Sequence, residues 1–221
     1  MNVECLLALV LQLFKDPVAG KRVLEVGSQD VNGSIRPFVE ALAPQEYIGA
    51  DMAAGKGVDV IINSSDLIER FGAESFDLVI SSAVIEHVRD WKAAVHNMKG
   101  VCRPGGTILA VTCSLGFPYH GHPYDFWRYE IQDLKEIFSD CQILSAVPVF
   151  KNLVLIKVRK PVDFRERDLQ PFELYSLAAA GRIKDLDDAI LRSWRFKKLI
   201  IRSWIMNALT RAVSFIGGHV I

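Results

Sequence analysis

The chain has 221 residues, 50% hydrophobic and 24% charged, with 26 basic residues balancing 26 acidic ones. That length supports one α/β domain with a full core plus an appendage, and the composition excludes a disordered or fibrous chain. The charge is unevenly placed: residues 161–221 carry 10 basic against 7 acidic side chains, with six basic residues and no acid after Asp188. A balanced body with a basic end gives no reason to expect nucleic acid at the main site.

Cys5–Phe14 is apolar, but Glu4 stands where a secretory leader carries basic residues, and no small-residue cleavage site follows. The stretch predicts an opening helix packed on the first strand rather than a signal peptide. Cys5, Cys102, Cys113 and Cys141 are scattered without C-x-x-C spacing, which points to a reducing compartment and no disulfide framework.

Val23–Val26 is a short apolar run of the kind buried on both faces of a sheet. It breaks at Gly27-Ser28-Gln29-Asp30 and recovers as a predicted helix over Ser34–Leu42. Strand, glycine turn and helix make the first half of a βαβ unit, in which ligands sit at the carboxyl ends of strands. Gln29 stands where the dinucleotide fingerprint has the glycine that lets backbone approach a pyrophosphate. A nucleoside without a pyrophosphate therefore fits better than NAD or FAD, and a nicotinamide dehydrogenase is disfavoured.

Glu46–Asp51 is a second strand ending in a carboxylate, roughly twenty residues past the turn, where an acid accepts from ribose hydroxyls. Met52 follows, with a polarizable thioether able to lie on an adenine face. Val58–Asn63 and Phe76–Ser82 are predicted strands, and a helix is predicted from Ser82 through Val88. Trp91–Val101 reads as helix, Arg103-Pro104-Gly105-Gly106 as a turn, and Thr107–Thr112 as a fifth strand. Strands alternating with helices at this spacing predict a doubly wound, mostly parallel sheet.

Val23–Gly27, Tyr47–Asp51, Phe76–Ser82 with Glu86-His87-Val88, and Arg103–Gly106 resemble, in order, the motifs of class I S-adenosylmethionine-dependent methyltransferases. The resemblance covers about residues 20–160. It implies a seven-stranded Rossmann-like sheet with its last strand antiparallel, Cys141–Val147 and Leu153–Arg159 supplying the final pair. It also implies S-adenosylmethionine as cofactor, lying across the carboxyl ends of the first strands. Carried across residue by residue, it puts Glu25, Gly27 and Ser28 at the methionine part and Asp51 at the ribose. Met52, Asn63 and Ser64 come at the adenine, and Ser81 and Ser82 beside the sulfonium and carboxylate. Asn63-Ser64 replaces the Asp-Ala of many relatives, and an Asn oxygen can also accept from an adenine amino group. Gly27–Gly33 departs from G-x-G-x-G, which leaves Asp30 as either a cofactor contact or a cap for the next helix.

Leu115–Tyr129 follows the fifth strand on the cofactor edge, and polar, aromatic, glycine-containing loops at such places build binding sites. Its His-Pro-x-Asp-Phe-Trp-Arg-Tyr segment is similar to one in some bacterial methyltransferases associated with glycan or surface-polymer assembly. His120 and His122 are the candidate general bases by intrinsic pKa, with Asp125 as base or orienting partner. Tyr119, Tyr124 and Trp127 are candidates for an apolar acceptor wall, and Arg128 for pairing with an acceptor carboxylate or phosphate. A structural alternative has Asp125 capping a helix over Trp127–Phe138, with Trp127 and Tyr129 in the core. The spacing His120-x-His122-x-x-Asp125 permits a metal triad, but methyl transfer does not require one and no metal is expected.

The boundary falls near 160, dividing a cofactor-binding domain (1–160) from a helical, basic, amphipathic extension (161–221). Pro171–Ala180 reads as a short helix ended by Gly181. Over Arg202–Ile216, Ser203, Asn207, Thr210, Arg211 and Ser214 form a polar stripe opposite Ile205, Leu209, Ala212, Val213 and Ile216. Lys197, Lys198, Arg202 and Arg211 exclude a comfortable membrane span. Residues 190–216 could pack on the chain itself, dimerise, lie in a membrane interface, or cover the acceptor. The expected function is methyl transfer from S-adenosylmethionine to an oxygen or nitrogen of a small-molecule or glycan-linked acceptor. The expected location is cytoplasmic, with peripheral contact at the inner membrane face left open. A non-catalytic cofactor-binding or scaffold protein docking through its C-terminal helix is the alternative from another class.

Overall fold

The computed structural model describes residues 3–15, 17–121, 123–150 and 152–217, excepting the side chains of 4, 207 and 210–217. His122 therefore lies outside the described residues, as do the apolar and polar stripes expected beyond Leu209. In chain order the elements are α1 (Val3–Leu13), β1 (Arg22–Val26), α2 (Arg36–Glu40), β2 (Glu46–Asp51), β3 (Val60–Ile61) and α3 (Leu67–Phe71). Then come β4 (Phe76–Ser82), α4 (Trp91–Val101), β5 (Cys102–Cys113), β6 (Trp127–Arg128), α5 (Ile131–Ile137), β7 (Gln142–Val149) and β8 (Leu153–Arg159). The chain closes with β9 (Leu174–Ser176), β10 (Gly181–Ile183), α6 (Asp188–Arg192) and α7 (Trp194–Gly217).

Seven strands form one sheet in the order β3-β2-β1-β4-β5-β8-β7, parallel except for β8, which runs antiparallel to both β5 and β7. The apolar runs explain the centre: every residue of β4 is buried, and so are all but the first of β1. Side chains alternate between two core layers, as a two-residue period requires. Leu24, Val26, Val79, Ile108 and Ala110 join α4 and α5 on one face. Val23, Leu78, Ile80, Leu109 and Val111 meet α1 and α2 on the other. Helix α4 buries Trp91, Ala94, Val95, Met98 and Val101 along one stripe, and Asp90 caps it by accepting from Ala93 N (3.0 Å). All four cysteines are buried thiols outside any disulfide among the described residues.

Three expected helices are corrected. The stretch after Ser82 is a turn, because the Glu86 carbonyl is taken by Phe126 N (2.9 Å) and Trp127 N (3.2 Å) instead of by a helical amide. Helix α5 begins after Glu130 rather than at Trp127, so Asp125 caps nothing; the Glu130 amide donates to Asp133 (2.9 Å). Pro171–Ala180 holds strand β9, which pairs with β10 and with β6 in a small antiparallel sheet. Leu174 and Ser176 are both fully buried with half-buried Tyr175 between them, a two-residue period that the open edge of β6 selects over helix. Lys92 ties this part back to α4 through Gln170 O and Asp185 (both 3.1 Å), and Arg89 donates to Leu186 O (2.8 Å).

Candidate functional site

The strand registers bring the expected cofactor residues to one edge. Val26 lies between Ala50 of β2 and Ser81 of β4, so Gly27, Asp51 and Ser82 stand one step further along three neighbouring strands. Asp51 in turn pairs with Ile61, which puts Asn63 and Ser64 two and three residues beyond in the turn to α3. Gly27 is in the left-handed region (φ +79°), and a Cβ there would lie 2.0 Å from Val84 Cγ2. Only glycine fits that close approach. Its amide and that of Ser28 both donate to Ala50 O, at 2.7 and 3.1 Å, closing the turn over the end of β2.

Gln29 and Asp30 make the turn without further glycines. Gln29 N donates to Asp51 Oδ2 (3.1 Å) and Ala53 N to Asp51 Oδ1 (3.2 Å), so the strand-end carboxylate is held from both sides. Asp30 does not cap α2, whose N-cap is Ile35. It accepts from Gly33 N (2.9 Å) and pairs with Lys56 (2.7 Å), and these contacts hold its carboxyl below the usual range. Glu25 is buried two residues before Gly27 and accepts from the Tyr47 hydroxyl. Burial pushes its carboxyl up to about 7 against the opposing pull of Tyr47 and Arg36.

Two hydroxyls at this edge, Ser28 Oγ and Ser81 Oγ, are buried without a hydrogen-bond partner among the described residues. Buried polar atoms ordinarily have partners, so a pair of orphans beside a glycine turn and a strand-end carboxylate is what a bound polar ligand would satisfy. Met52 is 68% exposed, Asn63 is exposed and Ser64 half-buried, leaving their side chains open to a ligand at the β2–β3 side. The residues present thus fit a nucleoside carrying an amino-acid tail.

The loop from Ser114 to Phe126 rises beside this edge from the end of β5. At its centre Asp125 and Arg128 form a fully buried bidentate pair, Oδ1–NH1 2.6 Å and Oδ2–NH2 2.7 Å. The other guanidinium hydrogens go to the carbonyls of Phe117, Pro118 and Trp127, at 2.7–3.2 Å. Arg128 thus grips the loop backbone rather than pointing to solvent. Trp127 is likewise enclosed, its indole N–H donating to Val88 O (3.0 Å).

His120 is 34% exposed and stands where the loop meets the sheet. Its amide donates to Asp125 Oδ2 (3.0 Å), and Nδ1 lies 2.8 Å from the same oxygen, an ion-pair contact rather than an in-line hydrogen bond. Among the described residues Nε2 makes only long contacts, 3.9 Å to Glu86 Oε1 and 4.0 Å to Cys113 Sγ. Burial alone would lower the imidazole pKa, but Asp125 and Glu86 outweigh it and raise it. Burial would likewise raise Asp125, yet Arg128 and His120 hold it well below the usual carboxylate range.

Glu86 is the residue that spacing did not single out as part of this site. It is fully buried and accepts from Thr112 Oγ1 (2.8 Å) and Cys113 Sγ (3.2 Å). His87 follows it, Nδ1 against Tyr124 O at 2.6 Å and its ring 4.7 Å from that of His120. The Glu86-His87 dipeptide was visible, but nothing local says that its turn reaches under a loop thirty residues later. Tyr124 is 47% exposed and stacks on Phe126, and Tyr119 Oη is buried without a partner among the described residues.

A parallel sheet with one inserted antiparallel strand, closed by a glycine turn and a strand-end acid, is the architecture of class I S-adenosylmethionine-dependent methyltransferases. The profile of a family described as a methyltransferase domain matches residues 3–141, and the chain belongs to that family. It is 31% identical over 128 residues to an uncharacterized methyltransferase of Mycobacterium marinum, covering 52% of this chain and 48% of the relative. A Mycobacterium ulcerans counterpart matches at 30% with the same coverage, so the chain spans about half the length of these curated relatives. Among solved structures it is similar to Burkholderia thailandensis 1,6-didemethyltoxoflavin-N1-methyltransferase, bound to 1,6-didemethyltoxoflavin and S-adenosylhomocysteine. That match has a TM-score of 0.57 at 13% identity, over 71% of this chain and 76% of the other. It is also similar to Haemonchus contortus phosphoethanolamine N-methyltransferase 2 in complex with S-adenosylmethionine, with a TM-score of 0.56 at 15% identity, over 72% and 53%.

Proposed function

We propose that this chain transfers a methyl group from S-adenosylmethionine to an oxygen or nitrogen of a small-molecule or glycan-linked acceptor, with His120 as general base. The cofactor, when bound, supplies an electrophilic methyl on a sulfonium. Asp51 accepts from the ribose hydroxyls, Met52 and Asn63 meet the adenine, and Glu25, Ser28 and Ser81 surround the amino-acid tail. Ionised Glu25 pairs with the tail's ammonium.

The observation that carries the acceptor side is the fixed order Arg128–Asp125–His120 beside that edge. Arg128 keeps Asp125 ionised and immobile, and Asp125 orients the imidazole by its Nδ1 side. Nε2, without a short contact, takes the acceptor's proton as the methyl arrives. Imidazolium forms next to Asp125 and Glu86, both of which stabilise it. Tyr119 Oη, without a partner among the described residues, offers the acceptor a hydrogen bond, and Tyr124 an aromatic wall. The similarity of the His-Pro-x-Asp-Phe-Trp-Arg-Tyr segment to that of polymer-assembly methyltransferases favours a glycan-linked acceptor.

The test is to incubate the protein with methyl-labelled S-adenosylmethionine and fractionated cell extract and follow label into any acceptor. Label should move, and His120→Ala should slow it by roughly 10²–10⁴-fold while adenosylhomocysteine affinity stays nearly unchanged. Full turnover in His120→Ala removes the base assignment; no labelled acceptor in any fraction removes methyl transfer itself.

A further inference from the structure

Helix α7 presents two unlike faces over its described turns. Phe196, Leu199, Ile200 and Ser203 recur at helical spacing and turn inward: Phe196 is 1% exposed, and the other three are half-buried. The Phe196 ring packs 6.2 Å from those of Tyr119, Tyr124 and Phe126, and Ser203 Oγ donates to Tyr119 O (3.2 Å). The helix is therefore fastened to the acceptor loop itself.

The opposite face is exposed and carries apolar residues: Trp194 (72% exposed), Ile201, Ile205 and Leu209 (49%, 46% and 55%) share it at helical spacing, with Trp204 (72%) at its border. Single exposed apolar residues are ordinary, but four at helical spacing with a second indole at their border are not. Lys198 stands among them and Arg195, Lys197 and Arg202 flank them, all exposed, none ion-paired among the described residues, in a region with no acid after Asp188. No helix among the described residues is long and apolar enough to cross a membrane.

We propose that the outer face of α7 docks on an anionic lipid surface, lying in its plane. Tryptophan, isoleucine and leucine enter the headgroup–acyl boundary while the cations meet lipid phosphates, the arrangement of an interfacial helix. A second copy of this chain is the poorer occupant, since pairing this face with itself sets four cations against four with no acid between them. Docking does not depend on methyl transfer. Where that reading also holds, the inner face of the same helix brings the Tyr119–Phe126 loop toward the bilayer, which selects acceptors carried on a membrane lipid.

The experiment uses the full chain in flotation with vesicles of phosphatidylcholine alone and of phosphatidylcholine mixed with phosphatidylglycerol. Binding should require phosphatidylglycerol and weaken with added salt. Lys197→Glu/Lys198→Glu and Trp194→Ser/Trp204→Ser should each lower the bound fraction at least about tenfold, given the contribution of each cation near an anionic surface. Both variants should keep the wild-type melting temperature and adenosylhomocysteine binding, which separates lost docking from lost fold. Equal binding to neutral vesicles, no binding to either, or a dimer in sedimentation velocity that Trp194→Ser/Trp204→Ser dissolves would each overturn the proposal.

Discussion

The carboxyl edge of β2-β1-β4 and the loop after β5 lie side by side but are held by different means. At the strand edge the backbone does the positioning: Gly27 and Ser28 donate to Ala50 O, Gln29 to Asp51, and register alone aligns Ser81 with Val26. In the loop the backbone is irregular and a buried side-chain pair positions it, Arg128 reaching three carbonyls while gripping Asp125. The first kind of site keeps its shape when a side chain is lost; the second does not.

The largest effect should therefore come from breaking the loop's anchor. Arg128→Leu leaves the buried Asp125 carboxylate without its guanidinium partner, with an expected loss of about 3–5 kcal/mol in stability. Chemical denaturation would show it, and a loss under about 1 kcal/mol would mean that the loop is held by something else. At the strand edge, Gly27→Ala adds a Cβ at φ +79° and 2.0 Å from Val84 Cγ2. The left-handed conformation costs about 1–2 kcal/mol, and the overlap adds roughly 1–3 kcal/mol. Calorimetry should find adenosylhomocysteine binding weakened along with stability, since the turn itself moves.

The smallest effect is electrostatic and sharpens the contrast, because it removes a charge without moving backbone. Glu25 ionises only as pH rises through about 7, so its pairing with the cofactor's ammonium is present above that pH and fades below it. For the protein alone the sign is opposite: a raised carboxyl pKa stabilises the fold below the ordinary carboxylate range and loses that contribution as pH rises through about 7. Adenosylhomocysteine affinity should fall by up to about tenfold per pH unit below 7, and Glu25→Gln should flatten that dependence.

The same contrast explains what could be read from sequence. The placement of Gly27, Asp51 and Ser81 together was legible because strand, turn and strand-end acid follow each other at fixed short spacing, and a parallel sheet turns that spacing into one edge. Gln29 read as a defect in a fingerprint, whereas its amide holds Asp51, a job that any non-proline residue can do. The loop was legible in composition but not in roles. Arg128 and Trp127 carried the expected chemistry of an acceptor site, yet their donors are consumed by carbonyls that only the fold brings near. Strand β9 was hidden for a related reason: three residues carry too little period, and its partner Trp127–Arg128 lies nearly fifty residues away. Glu86 needed the turn after β4 to pass beneath the loop before its buried carboxylate could be assigned a neighbour.

Thermal unfolding with adenosylhomocysteine tests most directly whether the strand edge binds S-adenosylmethionine. Ligand at about a hundredfold over its dissociation constant should add roughly 2.7 kcal/mol, a rise of about 5–10 °C for a chain of this size. Asp51→Ala should need several-fold more ligand for the same rise. No rise at saturating adenosylhomocysteine, with NADH stabilising instead, would mean that the edge holds a dinucleotide and not S-adenosylmethionine.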